Sequence, residues 1–127
     1  MTGRKYILDT CTIINFLSGK KNFLANTPSA DLIGISVISE LEFLSSKYLN
    51  KEDIYKYKEF LKLITIFDVS SEKQDFINLI TEIRKSSNLK LPDCIIAATA
   101  IYNHSTLITS DIEFQKVKEF ISVPLKI

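Results

Sequence analysis

Glycine, histidine and cysteine are scarce in this chain, and each shortage removes a class of function. Only three glycines occur in 127 residues, and neither G-x-G-x-x-G nor the G-x-x-x-x-G-K-[ST] loop can be found. Nucleotide binding through a phosphate-cradling loop is therefore excluded. The single histidine, His104, has no Ser or Cys in a nucleophile-elbow phrase to work with, so a catalytic triad has no support. Cys11 and Cys94 stand in no C-x-x-C pattern, which argues against both a zinc site and a disulfide framework. Each lies in an apolar phrase and reads as a buried, reduced thiol. Long hydrophobic runs are also missing. The longest apolar stretch, Cys94–Tyr102, is broken by Thr99 and falls far short of the ~20 residues a membrane span needs. Arg4 and Lys5 precede only the short apolar run Tyr6–Leu8, too little for a signal-peptide core, so a cytoplasmic protein is expected. Charge of one sign is lacking as well: the net is +1, which does not by itself mark a nucleic-acid binder. Contact with a polyanion would need a local basic rim. Lys20–Lys21, Lys56/Lys58/Lys62, Arg84–Lys85 and Lys116/Lys118 are the candidates, against the plainer reading of solvated faces.

What is present suits one α/β domain over residues 1–127. Hydrophobic residues make up 46% and charged ones 24%, ordinary for a globular chain. Short apolar runs alternate with longer amphipathic ones. Strands are expected at Lys5–Leu8, Leu32–Ile35, Thr65–Val69, Thr106–Thr109 and Ser122–Lys126. Helices are expected at Thr10–Ser18, Val37–Leu49, Lys51–Ile64, Ser71–Ser87 and Pro92–His104, with a short helical turn after Asp111. Asn50 reads as a cap between two consecutive helices, Ser70 or Ser71 as a cap for the next, and Pro92 suits a first helical position.

Four carboxylates sit at junctions of these elements, each inside a distinctive phrase: Asp9 in Y-I-L-D-T-C, Glu40 in I-S-V-I-S-E-L-E-F-L, Asp93 in L-P-D-C-I-I-A-A-T-A, and Asp111 in T-L-I-T-S-D-I-E-F. Taken singly, Asp9 and Asp111 read as helix caps and Asp93 as a carboxylate complementing a helix dipole. Asp93 nevertheless opens a helix that is apolar nearly all round, where an acid is costly without a partner. Glu40 shares its helix face with Val37, Phe43 and Leu44, whereas Glu42 lies with Ser39, Ser45 and Ser46. On that pattern Glu40 is the acid that needs an explanation. Glu42 is then a solvated or capping acid, with Ser39-x-x-Glu42 as a capping box if the helix starts late. Strand-end acids in an open parallel sheet point into one crevice. Acids gathered there repel one another unless protonated or holding a hard cation, and oxygen ligands suit Mg²⁺ or Mn²⁺. Thr10 and Thr109 are short hydroxyls placed to orient carboxylates or waters. Asn15, a turn or two beyond Asp9, reads first as solvent-facing, with a place lining the cleft as the alternative.

The four phrases, in this order from Tyr6 to Phe114, resemble the PIN-domain family of metal-dependent ribonucleases, most closely its VapC-type toxins. Asp9-Thr10, Ser36 to Glu40, Asp93 to Ala100, and Thr109, Asp111 and Phe114 carry the likeness. The resemblance implies a PIN-like three-layer α/β/α fold with a five-stranded parallel sheet. It implies that Asp9, Glu40, Asp93 and Asp111 bind Mg²⁺ or Mn²⁺ and support hydrolysis of RNA. It also implies a homodimer, neutralised by a VapB-type antitoxin whose segment occupies the acidic cleft. One departure is Cys11, where some relatives carry Asn; a thiol is a poor Mg²⁺ ligand and is expected to pack. The position two after Asp9, where a haloacid-dehalogenase-like phosphatase needs Asp, is also Cys11, and no D-x-D triplet suits a Toprim nuclease. The remaining alternative is a non-catalytic PIN-like module that binds RNA or protein.

Overall fold

The computed structural model describes residues 4–19, 30–117 and 122–123. In chain order the elements are β1 (Lys5–Leu8), α1 (Thr10–Leu17), β2 (Leu32–Ser36), α2 (Val37–Leu44), α3 (Lys51–Leu61) and β3 (Thr65–Phe67). There follow α4 (Gln74–Ser87), α5 (Leu91–Tyr102), β4 (Thr106–Ile108), a 3₁₀ turn (Ile112–Lys116) and β5 (Ser122–Val123). Every expected strand and helix is present; residues 124–126, expected to extend β5, lie outside the described residues.

The sheet has five strands in the order β3-β2-β1-β4-β5, and every pairing is parallel. Side chains on a strand alternate between faces, and β1 shows why this sheet needs helices on both. Ile7 and its neighbour Leu107 join a core with Phe76, Ile80 and Ile83 of α4 and Cys94, Ile96 and Ala97 of α5. One residue on, Leu8, Ile35 and Ile108 join a second core with Ile13 of α1, Phe43 of α2 and Tyr57 and Phe60 of α3. Two apolar faces with helices over each give the three-layer α/β/α arrangement. Strand order reverses at β1, with β2 on one side and β4 on the other. In such sheets ligands bind beyond the carboxyl ends of the strands at that switch point.

Element ends follow local hydrogen bonding, and here three expectations need correction. The helix expected to reach Leu49 stops at Leu44, because Ser46 turns its hydroxyl to the backbone N–H of Tyr48 and offers the chain a turn instead. Ser70 and Ser71 do not cap α4. Ser70 Oγ accepts from the Glu72 N–H within a turn, and the helix begins only at Gln74, with no side-chain cap. The Ser39-x-x-Glu42 capping box does not form, since α2 starts at Val37 with Ser36 as its cap. By contrast Asn50 caps α3 in a reciprocal box with Asp53, and Pro92 lies in the first turn of α5.

Gly34, in β2 between β1 and β3, leaves no room for a side chain. A Cβ there would stand 2.6 Å from the Phe67 ring and 3.0 Å from the Thr65 carbonyl oxygen. Phe67 thus lies over the glycine and helps to cover the face that Ile7 shares. Gly34→Ala should cost about 1–3 kcal/mol, the usual range for overpacking, measured from the urea midpoint, and Gly34→Val more. An unchanged midpoint for both would show that Phe67 moves aside freely.

Candidate active site

Asp9 follows β1 directly and is 3% exposed. Its backbone is extended, and one carboxylate oxygen accepts the Thr12 N–H at 2.9 Å, capping α1. The other oxygen accepts the hydroxyl of Thr109, which in turn accepts the Asp111 N–H at 2.9 Å. Thr12 donates to the Ile108 carbonyl oxygen at 2.9 Å. The ends of β1 and β4 are therefore stitched together through side chains, and Asp9 and Asp111 emerge from adjacent strands. Burial pushes the Asp9 carboxyl up; the bonds from Thr109 and Thr12 oppose this, and the charge of Asp111 adds to it. The cap reading of Asp9 holds, but a cap needs only one oxygen and tolerates exposure, so it does not explain this burial.

Asp93 stands in the first turn of α5, half-buried. Its carboxyl is also raised, first by burial and then by the charges of Glu42, Asp111 and Asp9; the ammonium of Lys90 lowers it in part. Asp111 caps the 3₁₀ turn, accepting the Glu113 N–H at 2.9 Å. Three of the four acids expected to meet, Asp9, Asp93 and Asp111, thus lie within electrostatic reach of one another.

The fourth is Glu42, not Glu40. Glu42 accepts the Thr10 hydroxyl at 2.5 Å, and its charge is felt at Asp93 and at Cys11. Glu40 turns the other way and accepts the hydroxyl of buried Tyr57 at 2.9 Å. The sequence argument failed on Ser39, taken as a marker of the solvated face. Ser39 is fully buried, because a small side chain lets α2 pack closely against its neighbours. Glu42 itself is exposed, as expected of a solvated acid, but its charge is felt at Asp93, which puts it at the rim of the crevice. The apolar face that carries Glu40 and Phe43 looks toward α3.

Smaller revisions surround this one. Cys11 is exposed, not packed, and its thiol is pushed up by partial burial and by Asp9, Asp111, Glu42 and Asp93. Asn15 is buried where a solvent-facing residue was expected. Cys94 is buried as expected. Much of the expected basic rim is spent along its own helices: Lys56 pairs with Glu52, Lys62 with Glu59 and Lys116 with Glu113. Lys20, Lys21 and Lys118 lie outside the described residues. Lys90, which the sequence reading passed over, is a cation whose charge reaches Asp93.

The donors at the crevice are all carboxylate or hydroxyl oxygens, the chemistry that hard divalent cations prefer. Among the described residues no three His, Cys, Asp or Glu side chains stand close enough to hold one ion between them. The arrangement fits an ion that keeps several of its waters, as Mg²⁺ does, with some carboxylates reaching it through water.

The raised carboxyls carry a stability signature. In the unfolded chain Asp9 and Asp93 titrate in the ordinary Asp range; folded and metal-free, they titrate above it. Between those limits the folded state binds more protons, so stability falls as pH rises through the window and stays lowered above it. Asp9→Asn keeps an oxygen for the Thr12 N–H and cannot ionise. In chelator, its stability at neutral pH should equal or exceed that of the unaltered protein, with a shallower fall from acid to neutral. Denaturant unfolding across that range measures this; a marked loss at neutral pH would mean that the Thr109 bond to a charged Asp9 outweighs the strain of burial.

The comparisons with known proteins agree with this fold. The chain shares its fold with one chain of VapBC2 from Rickettsia felis, solved bound to a DNA fragment from their promoter, at TM-score 0.76 and 24% identity over 96% of this chain and 99% of that one. A toxin-antitoxin complex from Klebsiella pneumoniae matches at TM-score 0.70 and 24% identity, over 92% and 96%. VapBC-5 from Mycobacterium tuberculosis, a member of the VapBC family of toxin-antitoxin systems, matches at 0.61 and 18%, over 94% and 98%. No curated protein matches the sequence. The family model described as PIN domain matches residues 6–120, which takes in all four crevice acids, and the chain belongs to the PIN domain family.

Proposed function

We propose that this protein is a metal-dependent endoribonuclease, the toxin of a toxin–antitoxin pair, with Mg²⁺ or Mn²⁺ held by Asp9, Glu42, Asp93 and Asp111. The observation that carries the reading is the gathering of carboxylates beyond the strand ends at the switch point: the Asp93 carboxyl, raised first by its burial, also feels the charges of Glu42, Asp111 and Asp9. Mutual repulsion of this kind is relieved by a bound cation. Glu42 replaces Glu40 in the ligand set because its carboxylate faces the other acids and Glu40 is engaged by Tyr57.

The chain's own residues divide the work. Asp9 is the central ligand, its orientation set by Thr12 and Thr109. Thr109 also holds the backbone of Asp111, so one hydroxyl sets the spacing of two acids. Thr10 orients Glu42. When bound, the ion supplies a water made acidic enough to attack phosphorus and positive charge for the developing oxyanions. Asp93, half-buried in the first turn of α5, would complete the set of oxygens around the ion.

The partners proposed are an RNA substrate, a second copy of the chain in a homodimer, and a VapB-type antitoxin. The antitoxin rests on the shared fold with VapBC chains, and the acidic crevice would accept a basic segment from it. Among the described residues no helix is long and apolar enough to cross a membrane. We place the protein in the cytoplasm, with residues 1–127 as one domain.

Purified protein should cleave cellular RNA with Mg²⁺ or Mn²⁺ and lose that activity in EDTA; undiminished cleavage in excess chelator, with contaminating nuclease excluded, would refute the mechanism. The neighbouring glutamates give a sharper contrast. Glu42→Gln should lower cleavage by at least ~10²-fold, as for loss of a positioned catalytic group, while Glu40→Gln should change it little. The reverse order would return Glu40 to the site.

A further inference from the structure

We propose that the hydrogen bond from Tyr57 to Glu40 sets the roll of α2 and so aims Glu42 into the crevice, making Tyr57 and Glu40 positioning residues; this rests on the placement of Glu42 in the ion site above. α2 has eight residues, and only Ser39 and Phe43 are buried along it. A two-turn helix with so few anchors can rotate about its axis unless something resists. Its N-terminus is tied by Ser36, whose hydroxyl accepts the Ile38 N–H at 3.1 Å. That bond fixes the helix start but not the direction of side chains a turn later.

Residues two apart on a helix point about 200° apart, so Glu40 and Glu42 face nearly opposite ways. On one side Tyr57, 2% exposed, donates to Glu40 at 2.9 Å. The Tyr57 ring also stacks on Phe43, one turn beyond Glu40, with centroids 4.6 Å apart and planes at 29°. On the other side Glu42 receives Thr10 at 2.5 Å. Any roll that withdrew Glu42 would have to pull Glu40 off the Tyr57 hydroxyl and slide Phe43 across the ring.

Tyr57 is a firm abutment. It packs near Phe60 in the core of α3, whose start is fixed by the Asn50–Asp53 box. A charge-assisted bond to a carboxylate is short and directional, which an apolar contact between these helices would not be. This gives Glu40 a use other than the one its apolar face suggested. Its charge is held by a neutral donor and kept away from the other four groups' crevice.

The test uses the full chain and reads metal affinity and geometry as well as cleavage. Tyr57→Phe keeps the ring and removes the donor; Glu40→Met removes the acceptor; Glu40→Gln keeps an acceptor oxygen. Phe76→Leu is a control that loosens the other core without touching the bond. By calorimetry Tyr57→Phe and Glu40→Met should weaken Mn²⁺ binding by about tenfold, in the range for loss of groups behind metal ligands, and Glu40→Gln should restore it. Phe76→Leu should lower Tm yet bind Mn²⁺ normally. A crystal structure of Tyr57→Phe should show Glu42 withdrawn from Thr10. If Tyr57→Phe lowers Tm but keeps both Mn²⁺ affinity and the Thr10–Glu42 contact, the proposal is overturned and the bond is a stabiliser only. If the unaltered protein binds no Mn²⁺, the metal reading fails instead, and loss or retention of the Thr10–Glu42 contact in Tyr57→Phe decides the roll by itself.

Discussion

The crevice depends on one buried carboxylate and the hydroxyl that holds it. Asp9 lies at the end of β1, where strand order reverses, and Thr109 lies at the end of the adjacent β4. Their contact joins two strands that are far apart in sequence and places Asp111 through the same hydroxyl. An acid buried this deeply lowers stability in its charged form unless something compensates. The hydrogen bonds from Thr12 and Thr109 compensate only in part, since the carboxyl remains raised. The sheet thus delivers to its switch point a site that gains from a cation, and the fold's two well-packed cores supply the rigidity to hold like charges together.

α2 shows how little local structure decides on its own. Its sequence offers two glutamates two positions apart, so either could face the crevice. Packing against α1 and α5 on one side and α3 on the other selects Glu42 for the acids and Glu40 for Tyr57. The burial of Ser39 and the stack of Phe43 on Tyr57 are two halves of the same choice. A helix of eight residues carries too few side chains to state its own orientation, and its partners state it instead.

Several chemical consequences meet at the same place. Thr10 and Thr109 lie beside Asp9 and Asp111 in sequence, yet each bonds an acid from another element: Thr10 holds Glu42 and Thr109 holds Asp9. The expected orienting role of these hydroxyls is therefore realised across the fold. Cys11, next to Thr10, ends up exposed, its thiol pushed up by partial burial and then by the negative charge around it. Three of the basic residues expected to form a rim, Lys56, Lys62 and Lys116, are engaged in exposed pairs along single helices, where each pair adds little stability.

The alternation of apolar runs determined the five strands, the helices between them and the three-layer class, because side-chain period and burial are local properties. Junction acids with no paired chemistry nearby, Asp9, Asp93 and Asp111, were legible for the same reason: each stands where an apolar element begins or ends. Two things were decided only by tertiary structure. Ser39 was buried by close helix packing, which reversed the reading of Glu40 and Glu42. Cys11 was turned outward because α1 presents Thr12 and Ile13, its neighbours, to the core. The helix ends moved for a local reason instead, where the hydroxyls of Ser46 and Ser70 accepted backbone N–H groups two residues on. A side chain's polarity says whether burial is costly, but which face of a short helix is buried depends on surfaces supplied by distant parts of the chain, and the sequence near that helix does not contain them.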